Sequence, residues 1–378
     1  MAGTAAFARR VGCAVQGAAT KKGGGWCNQH MAAASRAISD RIPLVDLVVE
    51  IRDSRIPFSS AYKYQGCHPP RSKHVIVLNK TDLANRSQTQ KWIEFFEAQD
   101  YGCRGLNSHN KANVKELLNF LQTQVRELKV CESNYTATIM LVGIPNVGKS
   151  AITNFLHQFG RISAAEKGKL KNATVNPSPG ETKDISSYKI ASHPNVYVLD
   201  TPGVLTPQIF DVEVASKLVL TGAINDSFVG EIELAMYFMA ILNSSDEYKR
   251  WEKLIPKEDD MLFTDPKQKL VEDSSASKPQ KRQYRTDHTQ DFIVKDVRRS
   301  FFETISSFKG SLQNEKEMLG LIETQFVALH EAFRVSSFTG EEGYHRVARK
   351  LINLFRTGRL GCYTLDLVPV CDQEVSTG

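Results

Sequence analysis

No stretch of this chain stays apolar long enough to cross a bilayer; the best run, Leu234–Leu242, covers nine residues and fits a buried helix. Cysteine is sparse and unpatterned. The seven residues (Cys13, Cys27, Cys67, Cys103, Cys131, Cys362, Cys371) are odd in number and contain no Cys-x-x-Cys pair. That argues against a disulfide framework or a structural zinc, and for free thiols in a reducing compartment. Asp and Glu are missing from the first 39 residues, where Arg9, Arg10, Lys21, Lys22 and Arg36 stand among alanines. This start lacks the compact apolar core of a secretory signal and reads as an organellar presequence or a basic tail. Scarce serine points to mitochondrion over chloroplast. There is no internal repeat, so a solenoid is excluded. What is present, 378 residues with 41% hydrophobic and 24% charged, suffices for two or three domains with ample core. The net charge of +6 is compatible with an RNA partner without requiring one.

The densest chemistry lies at Gly143-Ile144-Pro145-Asn146-Val147-Gly148-Lys149-Ser150, between an apolar strand pattern (137–142) and a helix pattern (151–159). Glycines let such a loop turn its backbone N–H groups into an anion-sized concavity, and the helix start adds its positive dipole end. In a GxxxxGK[ST] loop, Lys149 reaches the β/γ-phosphates and the Ser150 hydroxyl takes one Mg²⁺ position.

Around it, β-branched runs and periodic apolar residues alternate. Strands are expected at 44–51, 74–78, 104–107, 182–190 and 196–199, and helices at 30–42, 88–99 and 113–128. This alternation predicts an α/β fold: a parallel or mixed, doubly wound sheet of P-loop NTPase type. From about residue 212 only helical patterns follow (212–220, 231–242, 292–308, 315–335, 344–355). They are interrupted by a charged, polar segment (249–290) that reads as disordered, and 161–179 reads as a mobile loop. The expected plan is therefore a presequence or disordered 1–25, a nucleotide domain 26–210, an all-helical domain 211–248 with 291–370, and a disordered insertion 249–290.

Two more polar turns follow strands. In Asn79-Lys80-Thr81-Asp82, the carboxylate can accept from both N1–H and the exocyclic amine of guanine, a two-point match that adenine cannot offer. In Asp200-Thr201-Pro202-Gly203, Asp200 can hold Mg²⁺ through water and the Gly203 N–H can bond the γ-phosphate. Thr182 can supply a second Mg²⁺ oxygen. Each of these also fits an ordinary turn or strand start. Together, at the carboxyl ends of the strands, they point to one guanine-nucleotide site.

The order of the pieces is shuffled: base reader, phosphate loop, Thr182, then 200–203. With Asp53-Ser54-Arg55-Ile56-Pro57 and Gly358-Arg359-Leu360-Gly361, the chain resembles the circularly permuted GTPases of the YlqF/RbgA family, above all the mitochondrial members called DAR GTPases in plants. The resemblance implies guanine contacts from Asn79, Lys80, Thr81 and Asp82, supported by Asn107 and Ser108. It implies phosphate contacts from Gly143, Asn146, Val147, Gly148, Lys149, Ser150, Ala151 and Gly203. Mg²⁺ would be held by Ser150, Thr182 and Asp200, with K⁺ partly held by Asn146; Lys149 and Thr182 would serve catalysis.

The departures are Ser54 for the family's alanine, and Trp26-Cys27-Asn28-Gln29-His30-Met31, which keeps the tryptophan, histidine and methionine but loses the Pro-Gly turn. Val204 stands where Ras-like GTPases place the glutamine that orients water, so intrinsic hydrolysis is expected to be slow and completed by K⁺, a loop histidine or the ribosome. His109 and His193 are candidates by residue type alone. The switch after Gly203 runs into the helical domain, so nucleotide state is expected to be passed there.

By resemblance, the chain is a GTP-hydrolysing assembly factor of the large mitochondrial ribosomal subunit, bound to its rRNA. It would be located in the matrix, monomeric off the ribosome, and at most peripheral to the inner membrane. Basic helix residues such as Lys281, Arg282, Arg285, Arg298, Arg299, Arg346, Arg349 and Arg359 would face RNA, although solvated helix faces explain them as well. Two other readings remain at this stage: a GTPase of tRNA modification or translation, and a binding module with vestigial hydrolysis.

Overall fold

The computed structural model describes residues 2–20, 29–129, 135–164, 185–192, 195–206, 209–254, 291–335 and 340–369. Thr182, His193, Trp26-Cys27-Asn28, the loop from 165 to 179, and 255–290 with Lys281, Arg282 and Arg285 lie outside them. The chain divides into a nucleotide-binding candidate unit, Ala8–Gly230 with Cys362–Gly378, and a helical unit, Met1–Phe7 with Glu231–Gly361.

The first unit is built on a six-stranded sheet in the order β3-β2-β1-β4-β6-β5, where β1 is Leu47–Asp53, β2 His74–Asn79, β3 Gly102–Gly105, β4 Thr136–Val142, β5 Ser186–Ser192 and β6 Asn195–Asp200. β5 runs antiparallel to β6, whereas every other pairing is parallel. Central parallel strands are covered on both faces, so β1 is buried along nearly its whole length, Glu50 and Asp53 included, rather than at alternate residues. Val48, Met140 and Val142 pack on one face against Ala34 and Ile38 of helix α2 (Gln29–Arg41). Ile76 and Leu78 pack with Trp92 and Phe96 of α3 (Arg86–Glu97). Leu47, Val49, Ile51, Ile139 and Leu141, pointing the other way, are equally buried.

The helices start where capping side chains allow. Asn85 accepts from the Ser87 and Gln88 amides at the head of α3, and Asn110 from the Ala112 amide at the head of α4 (Lys111–Leu128). α5 (Lys149–Ala164) begins directly at the phosphate loop. α6 (Val212–Leu220) is capped by Asp211.

In the helical unit, α7 (Glu231–Asn243) is apolar nearly all round, and Leu234, Phe238, Met239 and Leu242 are buried. Such a helix belongs at the centre of a bundle. α8 (Asp291–Ser307), α9 (Glu315–Ala332) and α10 (Gly340–Arg356) complete it. The Phe238 and Phe355 rings lie 4.6 Å apart, and Asn243 and Gln325 exchange a reciprocal amide pair of 3.0 and 2.7 Å.

Three boundaries differ from the sequence-based plan. Residues 2–20, within the stretch read as a presequence or a disordered tail, form a helix, α1, which corrects the disorder alone. Val11 and Val15 are buried, and Gln16 Nε2 donates to the Ile209 and Phe210 carbonyls at 2.9 and 2.8 Å. An alanine-rich start supports such a helix as readily as it suggests a presequence. The domain boundary falls at Gly230 instead of residue 210, because α6 and the turn after it bond within the sheet unit. At the head of the insertion expected to be disordered, Glu247–Leu254 is a 3₁₀ turn with Trp251 buried.

Candidate nucleotide site

Parallel pairing decides where the polar turns meet. Asp53 is level with Asn79, Glu50 with Val142, and Leu141 with Asp200, so β1, β2, β4 and β6 all end on one rim. Ligands bind in such sheets at the carboxyl edge.

Asn79 ties three segments together. Its Nδ2 donates to the Val147 carbonyl (2.7 Å) and its Oδ1 accepts from the Ser108 amide (3.1 Å). The base turn, the phosphate loop and the 107–108 loop are thus held by one fully buried amide. The Thr81 amide donates to the Leu106 carbonyl (3.1 Å), and Asn107 Oδ1 accepts from the His109 amide (2.9 Å). Lys80 adopts a left-handed φ of 62°, and its ammonium lies 2.9 Å from Asp53 Oδ2. Asp53 also takes the Arg55 guanidinium at 3.0 and 2.7 Å. Burial pushes the Asp53 carboxyl up, but Arg55 and then Lys80 outweigh it and hold the acid well below its usual range. Asp82 Oδ1 is buried with no hydrogen-bond partner among the described residues, an acceptor set out for a ligand.

The phosphate loop requires its glycines. A Cβ on Gly143 would lie 2.5 Å from the Ile51 carbonyl oxygen, and one on Gly148, at φ 98°, 2.4 Å from Asn79 Nδ2. Gly203 approaches the loop from the other side, and a Cβ there would meet Pro145 Cα at 2.6 Å. Asn146, also left-handed at φ 59°, donates its amide to the Gly222 carbonyl at 2.7 Å. The Lys149 ammonium folds back onto the Gly143 and Ile144 carbonyls, at 3.0 and 2.8 Å. Burial draws its pKa down to about 8, against the pull of Asp200. An anionic phosphate in the concavity would offset that desolvation.

Ser150 Oγ donates to Asp200 Oδ2 (2.9 Å), while Asp200 Oδ1 is buried without a partner among the described residues. Burial raises the Asp200 carboxyl, and Lys149 and Ser150 only partly oppose it. A hydroxyl beside a carboxylate with an unused oxygen is a hard donor set that suits Mg²⁺. Among the described residues no group of three His, Cys, Asp or Glu could hold a metal ion.

A family model described as 50S ribosome-binding GTPase matches residues 138–261. The chain is 56% identical to "DAR GTPase 2, mitochondrial" of Arabidopsis thaliana over 96% of its own length and 95% of that protein. It is 38% identical to "Ribosome biogenesis GTPase A" of Thermotoga maritima over 53% of this chain and 66% of that one. It is 35% identical to "Mitochondrial ribosome-associated GTPase 1" of Mus musculus over 58% and 66%. This chain belongs to the circularly permuted GTPases of the YlqF/RbgA family. It binds GTP with Mg²⁺ and hydrolyses it.

In this GTPase, Val204 is only 6% exposed and packs among Ile38, Val48, Met140 and Val142. The position after Asp-Thr-Pro-Gly therefore serves the core and offers attacking water nothing. Thr201 Oγ1 pins the Asp200–Gly203 turn by donating to the Leu141 carbonyl at 2.6 Å.

Several of the basic residues expected to face RNA are engaged locally: Arg299 with Asp296 (3.0 Å), Arg346 with Glu342 (2.5 Å), Arg349 with Glu231 (2.7 Å), and Arg359 with Asp291. The first three pairs are exposed and open at small cost, whereas Arg359 is itself buried. His109 is exposed, and among the described residues its side chain makes no hydrogen bond or ion pair that would recruit it to catalysis.

Sequence reasoning left Asp53 and Arg55 outside the site, as a family mark only. Arg55 Nη2 also donates to the Thr221 carbonyl (3.3 Å), next to the Gly222 that holds Asn146. Nothing in residue type or spacing announces contacts between positions so far apart in the chain.

Proposed function

We propose that this GTPase acts in the mitochondrial matrix as an assembly factor of the large ribosomal subunit, binding pre-ribosomal RNA in one nucleotide state and leaving in the other. The near full-length match to a mitochondrial DAR GTPase carries the proposal, with ribosome biogenesis and ribosome association in the names of the other relatives. The site supports the nucleotide half. Asn79, Lys80, Thr81 and Asp82 read guanine, with Asn107 and Ser108 behind them. Gly143, Asn146–Ala151 and Gly203 surround the phosphates, and Lys149 neutralises charge as the γ-phosphate leaves. Ser150 and Asp200 hold Mg²⁺, joined by Thr182 when triphosphate is bound.

With Val204 in the core, intrinsic hydrolysis is slow and the ribosome completes the site. K⁺ is a second candidate aid. For Asn146 to hold it through its amide oxygen, the side chain must keep its nitrogen on Gly222, as it does here.

Sucrose-gradient sedimentation of organelle extracts tests the proposal. With a non-hydrolysable GTP analogue the protein should travel with large-subunit particles, and with GDP it should remain near the top. Equal distribution in both, or association with small subunits alone, would overturn it.

A further inference from the structure

Beyond Gly361 the chain leaves the helical unit and runs as an irregular segment, Cys362–Val368, over the loops behind the guanine-reading turn. The Tyr363 amide donates to the Leu83 carbonyl (3.2 Å), and the Asn85 amide to the Thr364 hydroxyl (3.2 Å). Cys362 Sγ lies 3.4 Å from the Asp82 carbonyl oxygen. These contacts fix the backbone of the residue whose carboxylate reads the base.

Asp366 locks the segment. It is 4% exposed, and its Oδ2 accepts the Phe58 and Ser59 amides at 2.8 and 2.7 Å. Its Oδ1 accepts the Ser59 hydroxyl at 2.7 Å and the Lys217 ammonium at 3.0 Å. The Leu365 amide adds a bond to the Arg55 carbonyl (2.7 Å), and the Trp92 indole donates to the Asp366 carbonyl (3.4 Å). A nearly buried carboxylate with four donors costs a great deal to desolvate and is restored only by good geometry, so it defines position.

The attachment points give this position its meaning. The 53–60 turn begins at Asp53, which holds Lys80, and continues through Arg55, whose side chain reaches Thr221 beside the Gly222 carbonyl that fixes Asn146. The strap thus bears directly on Asp82 and through one turn on Lys80 and the phosphate loop.

We propose that this C-terminal strap, locked by Asp366, is a positioning element for the guanine nucleotide and slows its release by holding the Asp82 backbone and the Asp53–Lys80 turn in place. The inference rests on the assignment of Asn79–Asp82 as the base reader. Its effect is on affinity and residence, since no strap atom belongs to the phosphate site.

The full-length protein with Asp366→Asn or Ser59→Ala tests it, using displacement of a fluorescent GDP, steady-state GTP hydrolysis and thermal melting. GDP release should quicken about tenfold for Asp366→Asn and about threefold for Ser59→Ala, as expected for loss of one strong and one ordinary hydrogen bond. KM for GTP should rise with kcat unchanged. If both variants release GDP within about twofold of the parent well below their melting temperatures, the strap is merely structural and the proposal fails. Should Asp366→Asn not fold, Ser59→Ala alone decides on the same criterion. Asp82→Asn separates the two assignments. If it binds GTP as the parent does, the base-reader assignment fails and takes the proposal with it; if it weakens GTP while the strap variants do not change release, only the strap proposal falls.

Discussion

Asp82→Asn isolates guanine reading from the other work of the site. In the free protein Asp82 Oδ1 is buried without a partner among the described residues, so the exchange removes no hydrogen bond from that oxygen there. The melting temperature should therefore stay within about 2 °C of the parent's. If Asp82 is the base reader, its carboxylate accepts from both the guanine N1–H and the exocyclic amine in the complex, each bond to a charged acceptor being worth about 1.5–3 kcal/mol. Asparagine keeps one acceptor and turns its amide donor toward the amine. The loss of one such bond, about 1.5–3 kcal/mol, corresponds to roughly 10–10² in GTP affinity. Xanthine carries a carbonyl where guanine carries the amine, so the variant regains a two-point match and should prefer xanthosine triphosphate. Competition titration of GTP, ATP and xanthosine triphosphate against a fluorescent nucleotide reads all three. An unchanged GTP-over-ATP preference would refute the reasoning, because the orphaned oxygen would then have no part in recognition.

Gly203→Ala drives a methyl to 2.6 Å from Pro145 Cα with backbone on both sides, and nucleotide affinity should fall about 10–100-fold, an overpacking cost of about 1–3 kcal/mol; parental affinity would show that the two loops part freely. Val204→Gln buries an amide among aliphatic side chains, so denaturant titration should show a loss of about 2–4 kcal/mol with no gain in hydrolysis; a stable, faster enzyme would mean that this position faces the site after all. Glu50, fully buried in β1, accepts Arg52 Nε at 2.6 Å and His74 Nε2 at 2.9 Å; burial pushes its carboxyl up, but Arg52 and His74 outweigh it and bring it down to about 2. Because the folded carboxyl is the stronger acid, its stabilisation, on the order of 3 kcal/mol, is complete above the unfolded value near 4.5 and is lost as pH falls toward about 2. Glu50→Gln should lose that increment at pH 7 and show a flatter acid limb in urea titrations; parallel limbs would exclude Glu50 as the titrating group.

The parts of this protein written locally were legible in its sequence. Hydrophobic periodicity located α4 and α10, and β-branched runs located β1 and β2, because a strand or helix face is recorded in neighbouring residues. The sequence reading of the phosphate loop, the base turn and Asp200–Gly203 rests on the same ground: each is a short peptide whose chemistry is complete in itself. Their meeting on one rim followed from parallel strand order, and the Asn79 to Val147 bond of 2.7 Å realises it. The helical form of Ala2–Thr20 was not read from the sequence, because alanine-rich basic composition marks a leader and favours a helix alike. Likewise Val204 could be seen to lack a hydrogen-bonding group, but its place in the core depends on α2, far away in the chain. Asp366 is one carboxylate among many until the chain closes on itself. Its four donors come from the 58–59 turn and α6, segments with no relation in sequence. Sequence alone therefore determined most of the elements and the class of nucleotide expected there, since those are local covalent patterns. The tertiary structure alone decided which remote groups hold that site still, since a buried charge acquires its partners only when separate segments are brought out of water together.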